Sequence, residues 1–209
     1  MGNNNIMSFN DIVEKQIEAI RAIPGKNISN AAEKMSKCSG KVVTTGIGKA
    51  GLIARKVSAT LSSTGTPSVF MHAADAQHGD LGILKEVDII LSFSNSGKTR
   101  EVVETISSAR SLYPNIFIIT ITSDENSILA KTSDLVIPTG NYPEFCPLGL
   151  APTSSSLAML SIGDILSVMV MQSKDFGIQD FHSRHHGGYL GKMLKNNFKG
   201  NKKGEKSND

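Results

Sequence analysis

Apolar positions along the 209-residue chain switch between helical and strand spacing, and the switches set out the elements in order. Val13, Ile17 and Ile20 share one helical face over 11–23, and Pro24-Gly25 ends that helix. A second helix is predicted over 29–38, with Ala31, Ala32 and Met35 inward and Ser39-Gly40 as its stop. Both precede the first strand, so they form a helical arm outside any β–α–β unit. Such an arm packs on a neighbouring subunit or caps the sheet. Strands are then predicted over 41–45, 68–72, 89–93, 116–122 and 135–137, mostly as continuous runs of buried type. Between them lie helices carrying Leu52, Ile53, Val57 and Leu61, then Val102, Val103 and Ile106, then Ile128 to Ala130. A long helix follows from Thr153 to about Gln172, apolar through Leu157, Leu160, Ile165 and Val168, and a short one after Gly177.

Apolar strands alternating with amphipathic helices predict an α/β fold. It is a three-layer α-β-α sandwich with a central five-stranded parallel sheet and an N-terminal helical arm. The arm is placed at 1–28, the body at 29–194 and a tail at 195–209. That tail holds five lysines and almost nothing apolar, which predicts a disordered basic tail. Net charge is +3, and without the tail the body is near neutral, which argues against a nucleic-acid groove. Cys38 and Cys146 lie far apart, as suits a reducing compartment. No apolar run is expected to approach the ~20 residues that cross a bilayer. The first nine residues show neither a signal peptide nor a myristoylation pattern. A soluble cytoplasmic protein with no membrane partner is expected.

Parallel sheets hold their ligands beyond the carboxyl ends of the strands. Three polar or glycine-rich segments fall there: 46–51, 72–80 and 94–99. The last has the most chemistry. A strand ends in Ser94-Asn95-Ser96-Gly97, and a helix begins after Thr99. The N–H groups of a helix's first turn lack internal partners and sit at the positive end of its dipole. Ser94, Ser96 and Thr99 add hydroxyl donors and Lys98 adds a charge, so a phosphate fits. An ordinary N-capped helix uses the same residue types. Gly46-Ile47-Gly48-Lys49-Ala50-Gly51 matches a dinucleotide fingerprint, but no acidic residue ends the next strand, which closes in His72-Ala73-Ala74. A phosphate-binding P-loop would need glycine where Ser92 stands. A loop over 141–153 carries Glu144, and the Ser/Thr cluster 153–156 either caps the long helix or donates to a phosphate.

Together, GIGKAG (46–51), STGTPS (63–68), HGDLG (78–82), SNSGKTRE (94–101), CPLGLAPTSS (146–155), Gly163-Asp164 and HHGGYLG (185–191) resemble the sugar isomerase (SIS) family. Within it they resemble the arabinose-5-phosphate isomerases, over about residues 41–192. The resemblance implies a flavodoxin-like SIS fold in a short form without the CBS pair that many members carry. It implies interconversion of D-ribulose 5-phosphate and D-arabinose 5-phosphate, supplying Kdo and lipopolysaccharide biosynthesis. It also implies a homotetramer with shared active sites, no cofactor and no catalytic metal, bound zinc being inhibitory or adventitious. Carried over residue by residue, the catalytic positions are Lys49, Glu101, Glu144 and His185. Substrate-binding positions are Gly48, His78, Ser94, Asn95, Ser96, Thr99 and Thr153. Lys98 replaces a common acidic residue, and His186 replaces a proline.

Enediol isomerisation needs a base between C1 and C2 and a proton carrier between O1 and O2. Glu144 and Glu101 are the carboxylates available, with Glu144 assigned the carbon proton. Lys49 would stabilise the oxyanion, and an imidazole, at His185, would open the furanose of the aldose. Plainer uses exist for each: Glu101 as a dipole-favoured first-turn carboxylate, Lys49 as a solvated lysine, Glu144 as a solvent-facing loop residue. Two rival functions fit the same turn. One is a non-catalytic SIS regulator that binds a sugar phosphate, and the other is an isomerase of a different sugar phosphate.

Overall fold

Five strands pair in parallel in the order β2-β1-β3-β4-β5: β1 (Val42–Gly46), β2 (Ser68–His72), β3 (Ile89–Phe93), β4 (Phe117–Thr122) and β5 (Leu135–Pro138). The structure, a computed structural model, describes residues 7–185. His186, the rest of the expected body to 194 and the tail over 195–209 lie outside the described residues. Strands β1 and β3 are buried at every position, because helices cover both faces of the sheet.

The described helices are α1 (Phe9–Arg21), α2 (Ile28–Ser36), α3 (Gly48–Ser63), α4 (Ala73–Ala76), α5 (Arg100–Leu112), α6 (Ile128–Thr132), α7 (Ser154–Ser173) and α8 (Ile178–Arg184). Alternate strand residues feed two cores. Val42, Leu91, Phe93, Ile119 and Ile121 pack with α2, α3 and α7. Val43, Ile90 and Ile118 pack with α4, α5 and α6 on the other side. This is the three-layer sandwich that the alternation predicts. Of the two N-terminal helices, α2 enters the first core through Ile28, Ala31, Ala32 and Met35. Helix α1 buries only Ala19 and lies on α7. A capping box fixes its start: Asp11 N donates to Ser8 Oγ at 3.2 Å, and Ser8 N donates to Asp11 Oδ2 at 2.9 Å.

Helix α7 corrects one expectation. Over its 20 residues it is long and apolar enough to cross a membrane by length and composition. Here it closes one face of the sheet. Ile162, Leu166 and Val170 enter the core, and Gly163 lies against Val57 of α3, where any Cβ would collide. A second difference concerns the stretch over 75–82, which reads as irregular. It contains the end of α4 and a 3-10 turn (Asp80–Ile83), single turns too short to show a helical period.

The strand order reverses between β1 and β3. In open parallel sheets the crevice at such a switch point is where ligands sit. The loops bordering it are 46–51 and 94–99.

Candidate functional site

From Phe93 the chain turns through Ser94 to Thr99 into α5. Gly97 takes φ +61, and a Cβ there would strike Ser127, so only glycine fits. Its N–H donates to Ser94 O at 3.1 Å, and its carbonyl accepts from Leu129 N at 3.1 Å. The hydroxyls of Ser94 and Thr99 hydrogen-bond at 2.8 Å, and Ser96 Oγ accepts from Lys98 N at 3.2 Å. Thr99 is the N-cap residue of α5, yet its side chain makes no hydrogen bond to the first turn. The plain capping use of these hydroxyls is therefore not the one adopted. Thr99 leaves the first-turn N–H groups without a side-chain cap, an arrangement that favours an anion.

Lys98 departs from expectation. Rather than adding its charge to that turn, it pairs with Asp124 Oδ2 at 3.1 Å, and this hydrogen bond holds the Asp124 carboxyl below its ordinary range. Asn95 ties the turn to the end of β4: its carbonyl accepts from Ser123 N at 2.9 Å and Thr122 Oγ1 at 3.0 Å. Its side-chain Oδ1 is buried and without a hydrogen-bond partner among the described residues. Glu101, in the first turn of α5, is half-buried, and its carboxylate makes no hydrogen bond or ion pair among the described residues.

Across the crevice, the Gly46–Gly51 loop is a close crossing. A Cβ on Gly51 would come within 2.9 Å of Gly46 O, and one on Gly46 within 3.1 Å of Phe93 O. The glycines thus serve helix–sheet packing, as the missing acidic residue suggests. Gly48 has φ +59 and opens α3, and Lys49 projects exposed from the same turn. His78 is exposed after α4, beyond the carboxyl end of β2.

Glu144 is not the solvent-facing loop residue that its position suggests. Its carboxylate lies on the start of α7 and accepts four hydrogen bonds. Oε2 receives Thr153 N at 2.6 Å, Thr153 Oγ1 at 2.9 Å and Ser155 N at 3.4 Å. Oε1 receives the hydroxyl of Ser155. Burial pushes the carboxyl up, but the bonds from Ser155 and Thr153 outweigh it and hold Glu144 below the ordinary carboxylate range. Helix α7 is capped by this carboxylate and not by its N-cap hydroxyl. Thr153, expected to contact substrate, gives its hydroxyl hydrogen to Glu144 and accepts from Phe145 N at 3.0 Å. Ser155 and Asn95 share a small cavity of about 40 Å³ with Ser123, Gly140 and Tyr142. The sequence reading offered Ser155 only as a cap or phosphate donor within its cluster and did not single out Ser123. The cluster at 153–156 signalled a helix start, but nothing in it named the carboxylate it would hold.

His185 lies elsewhere. Its ring stacks on Phe181 at 3.8 Å, and Nδ1 is 2.9 Å from Phe181 O. Neighbouring Arg184 sits over the Phe176 ring at 5.0 Å, and that ring packs against Gly65, before the amino end of β2. One chain therefore gathers Gly48, Lys49, Ser94, Asn95, Ser96, Thr99, Glu101, Glu144 and Thr153 at the carboxyl ends of the strands, and leaves His185 at the opposite end. A groove of about 560 Å³ also lies at that opposite end, lined by Asn30, Lys34, Cys38, Asn115 and Phe117. Its larger volume does not make it the site, because the chemistry-bearing residues are at the other edge. Among the described residues, no group of three or more His, Cys, Asp or Glu side chains could hold a metal ion.

The SIS domain family profile matches residues 34–169. Arabinose 5-phosphate isomerase KdsD of Escherichia coli K12 is 43% identical over 169 residues, covering 81% of this chain and 51% of that protein. The protein of the same name from Pseudomonas aeruginosa is 39% identical over 178 residues, covering 85% and 54%. The chain spans about half the length of the curated relatives it matches. Among solved structures, a Bacteroides fragilis protein proposed to be a phosphosugar isomerase of capsule formation superposes with a TM-score of 0.83. It is 45% identical and covers 86% of this chain and 96% of that one. An Escherichia coli CFT073 protein in complex with arabinose 5-phosphate gives a TM-score of 0.77 at 35% identity, covering 84% and 97%. Sheet order, glycine crossing, serine-rich turn and profile match all agree: the chain belongs to the SIS domain family.

Proposed function

We propose that the chain is an aldose–ketose isomerase that interconverts D-ribulose 5-phosphate and D-arabinose 5-phosphate through an enediol. The observation that carries this reading is the uncapped first turn of α5, flanked by the Ser94–Thr99 hydroxyl pair. It offers a seat for the phosphate in the same loop cluster as a carboxylate kept ionised. The matched relatives named arabinose 5-phosphate isomerase and the neighbour solved with that sugar phosphate support the choice of sugar. In this reading Ser94, Asn95, Ser96 and Thr99 hold the phosphate, with Gly48, His78 and Thr153 lining the site. Glu144 takes the proton from C1 of the ketose and returns it to C2, giving the aldose. Glu101 moves the second proton between O2 and O1, and Lys49 stabilises the oxyanion that develops on the way. His185 opens the furanose of the aldose. Because His185 is remote from Glu144 in one chain, the reading includes a homo-oligomer, a tetramer, whose neighbouring copy supplies it. The chain would act in the cytoplasm in Kdo and lipopolysaccharide supply, without cofactor, nucleic acid or membrane.

A panel of sugar phosphates assayed with a chelator present tests this. Turnover of arabinose 5-phosphate in preference to hexulose and heptose phosphates is expected. Tight binding without turnover would identify a regulatory SIS module instead.

A further inference from the structure

An ionised carboxylate has about four acceptor positions, two on each oxygen. Glu144 Oε2 already receives three donors: Thr153 N, Thr153 Oγ1 and Ser155 N. Oε1 receives one, the hydroxyl of Ser155. The two oxygens are therefore not equivalent, and only Oε1 has room to take a proton. Ser155 is buried on the first turn of α7, and it lines the small cavity that reaches Asn95 and Ser123 at the sheet's ligand end. The neighbouring groups are fixed as well. Ser154 Oγ donates to Pro143 O at 2.7 Å, and Tyr142 hydrogen-bonds Glu18 of α1.

We propose that Ser155 is a positioning residue that fixes Oε1 as the proton-moving oxygen of Glu144. This rests on the reading of Glu144 as the carbon-proton carrier. A hydroxyl bond to one carboxylate oxygen stops the group from rotating about its last torsion, which is broad when unrestrained. It leaves one lone pair of Oε1 open, and it lets a proton arrive and leave on a fixed line, as general base catalysis requires. Thr153 complements it by saturating Oε2 and anchoring the group.

Two variants and two readouts test this on the full chain. Ser155→Ala is expected to lower kcat about tenfold or more while KM stays within about threefold. The acid limb of the kcat–pH profile should move to higher pH, because a bond favouring the ionised carboxyl is gone. The carboxyl carbon of Glu144, followed by 13C NMR and assigned by its disappearance in Glu144→Gln, should titrate at higher pH in the same variant. Ser155→Thr, which keeps the hydroxyl, should restore both. If Ser155→Ala lowers only Tm and leaves both titrations where the wild type has them, Ser155 is a helix-start residue and nothing more. If the wild type turns over no sugar phosphate, or Glu144→Gln keeps its turnover, the functional reading falls. The positioning role then falls with it, whereas unshifted titrations in Ser155→Ala beside an active wild type and an inactive Glu144→Gln overturn the positioning role alone.

Discussion

Ser94 and Thr99 close the serine-rich turn by a hydroxyl–hydroxyl hydrogen bond of 2.8 Å across the start of α5. Neither hydroxyl caps the helix, so both can reorient toward a ligand without exposing a backbone group that depended on them. Hydrogen bonds to a charged group contribute about 1.5–3 kcal/mol, or about 10- to 100-fold in affinity. Ser94→Ala or Thr99→Val should therefore raise KM for the sugar phosphate by that factor, with a smaller change in kcat. Inorganic phosphate, as a competitive inhibitor, should weaken in parallel. A fall in kcat at constant KM would place the phosphate elsewhere.

Gly97 is where the turn is least tolerant. Its φ of +61 disfavours any side chain, and a Cβ would collide with Ser127, which caps α6 by accepting from Ala130 N at 3.2 Å. Gly97→Ala should lower unfolding stability by about 2 kcal/mol or more, from strain plus displacement of Ser127. Urea denaturation of the two proteins measures it. A difference under about 0.5 kcal/mol would mean that the turn relaxes freely.

The strands were legible because burial on both faces makes them continuous apolar runs, as in Ile89 to Phe93. The serine-rich turn was legible because strand, hydroxyls and helix follow one another directly. Helix α7 was harder to orient. Its apolar residues lie on all sides of the helix, so their period does not select a face. The structure buries Met159, Ile162, Leu166 and Val170, while Val168 is 52% exposed and Ile165 40%. Leu52 likewise belongs to an apolar pattern and is 70% exposed. The contact between Glu144 and Ser155 had no signal at all. Eleven residues and a Pro/Gly loop separate the two, and only the folded path of that loop sets the carboxylate on the helix. The same holds for Lys98, whose partner Asp124 comes from the next β–α loop.

Glu144 also makes stability depend on pH. Burial opposes its ionisation, the bonds from Ser155 and Thr153 favour it more, and the folded carboxyl lies below its ordinary 4.5. A group depressed in the folded state contributes stability above its unfolded pKa and loses it as pH falls through the folded one. Glu144→Gln does not titrate. The Tm advantage of the wild type over this variant should be constant from about pH 8 to about pH 6 and should shrink below about pH 4. Thermal scans of both proteins across that range measure the gap. A gap that widens toward low pH would show that burial outweighs the hydrogen bonds.

The last prediction follows from the distance between Glu144 and His185. Helix α7 starts at the Glu144 carboxylate, and its 20 residues run about 30 Å to the other end of the sheet. There Lys174 Nζ donates to Thr66 Oγ1 at 3.2 Å and Phe176 packs on Gly65. His185 follows, stacked on Phe181, with Arg184 over Phe176. If Glu144 and His185 serve one substrate, they come from different copies of the chain. Glu144→Gln should then lose about 10²–10⁴-fold in both directions. His185→Ala should be slow chiefly from arabinose 5-phosphate, since the ketose needs no ring opening. Neither variant can repair itself, but a mixture can. In randomly mixed oligomers, a quarter of the sites pair an intact Glu144 from one chain with an intact His185 from its neighbour. Co-assembled variants should therefore recover about a quarter of wild-type turnover from the aldose side, a consequence of sites built across a symmetric interface. Separately purified variants combined without subunit exchange should recover none. No recovery after verified exchange would mean that each chain completes its own site, and His185 would have to reach Glu144 by some path other than the one its helix follows here.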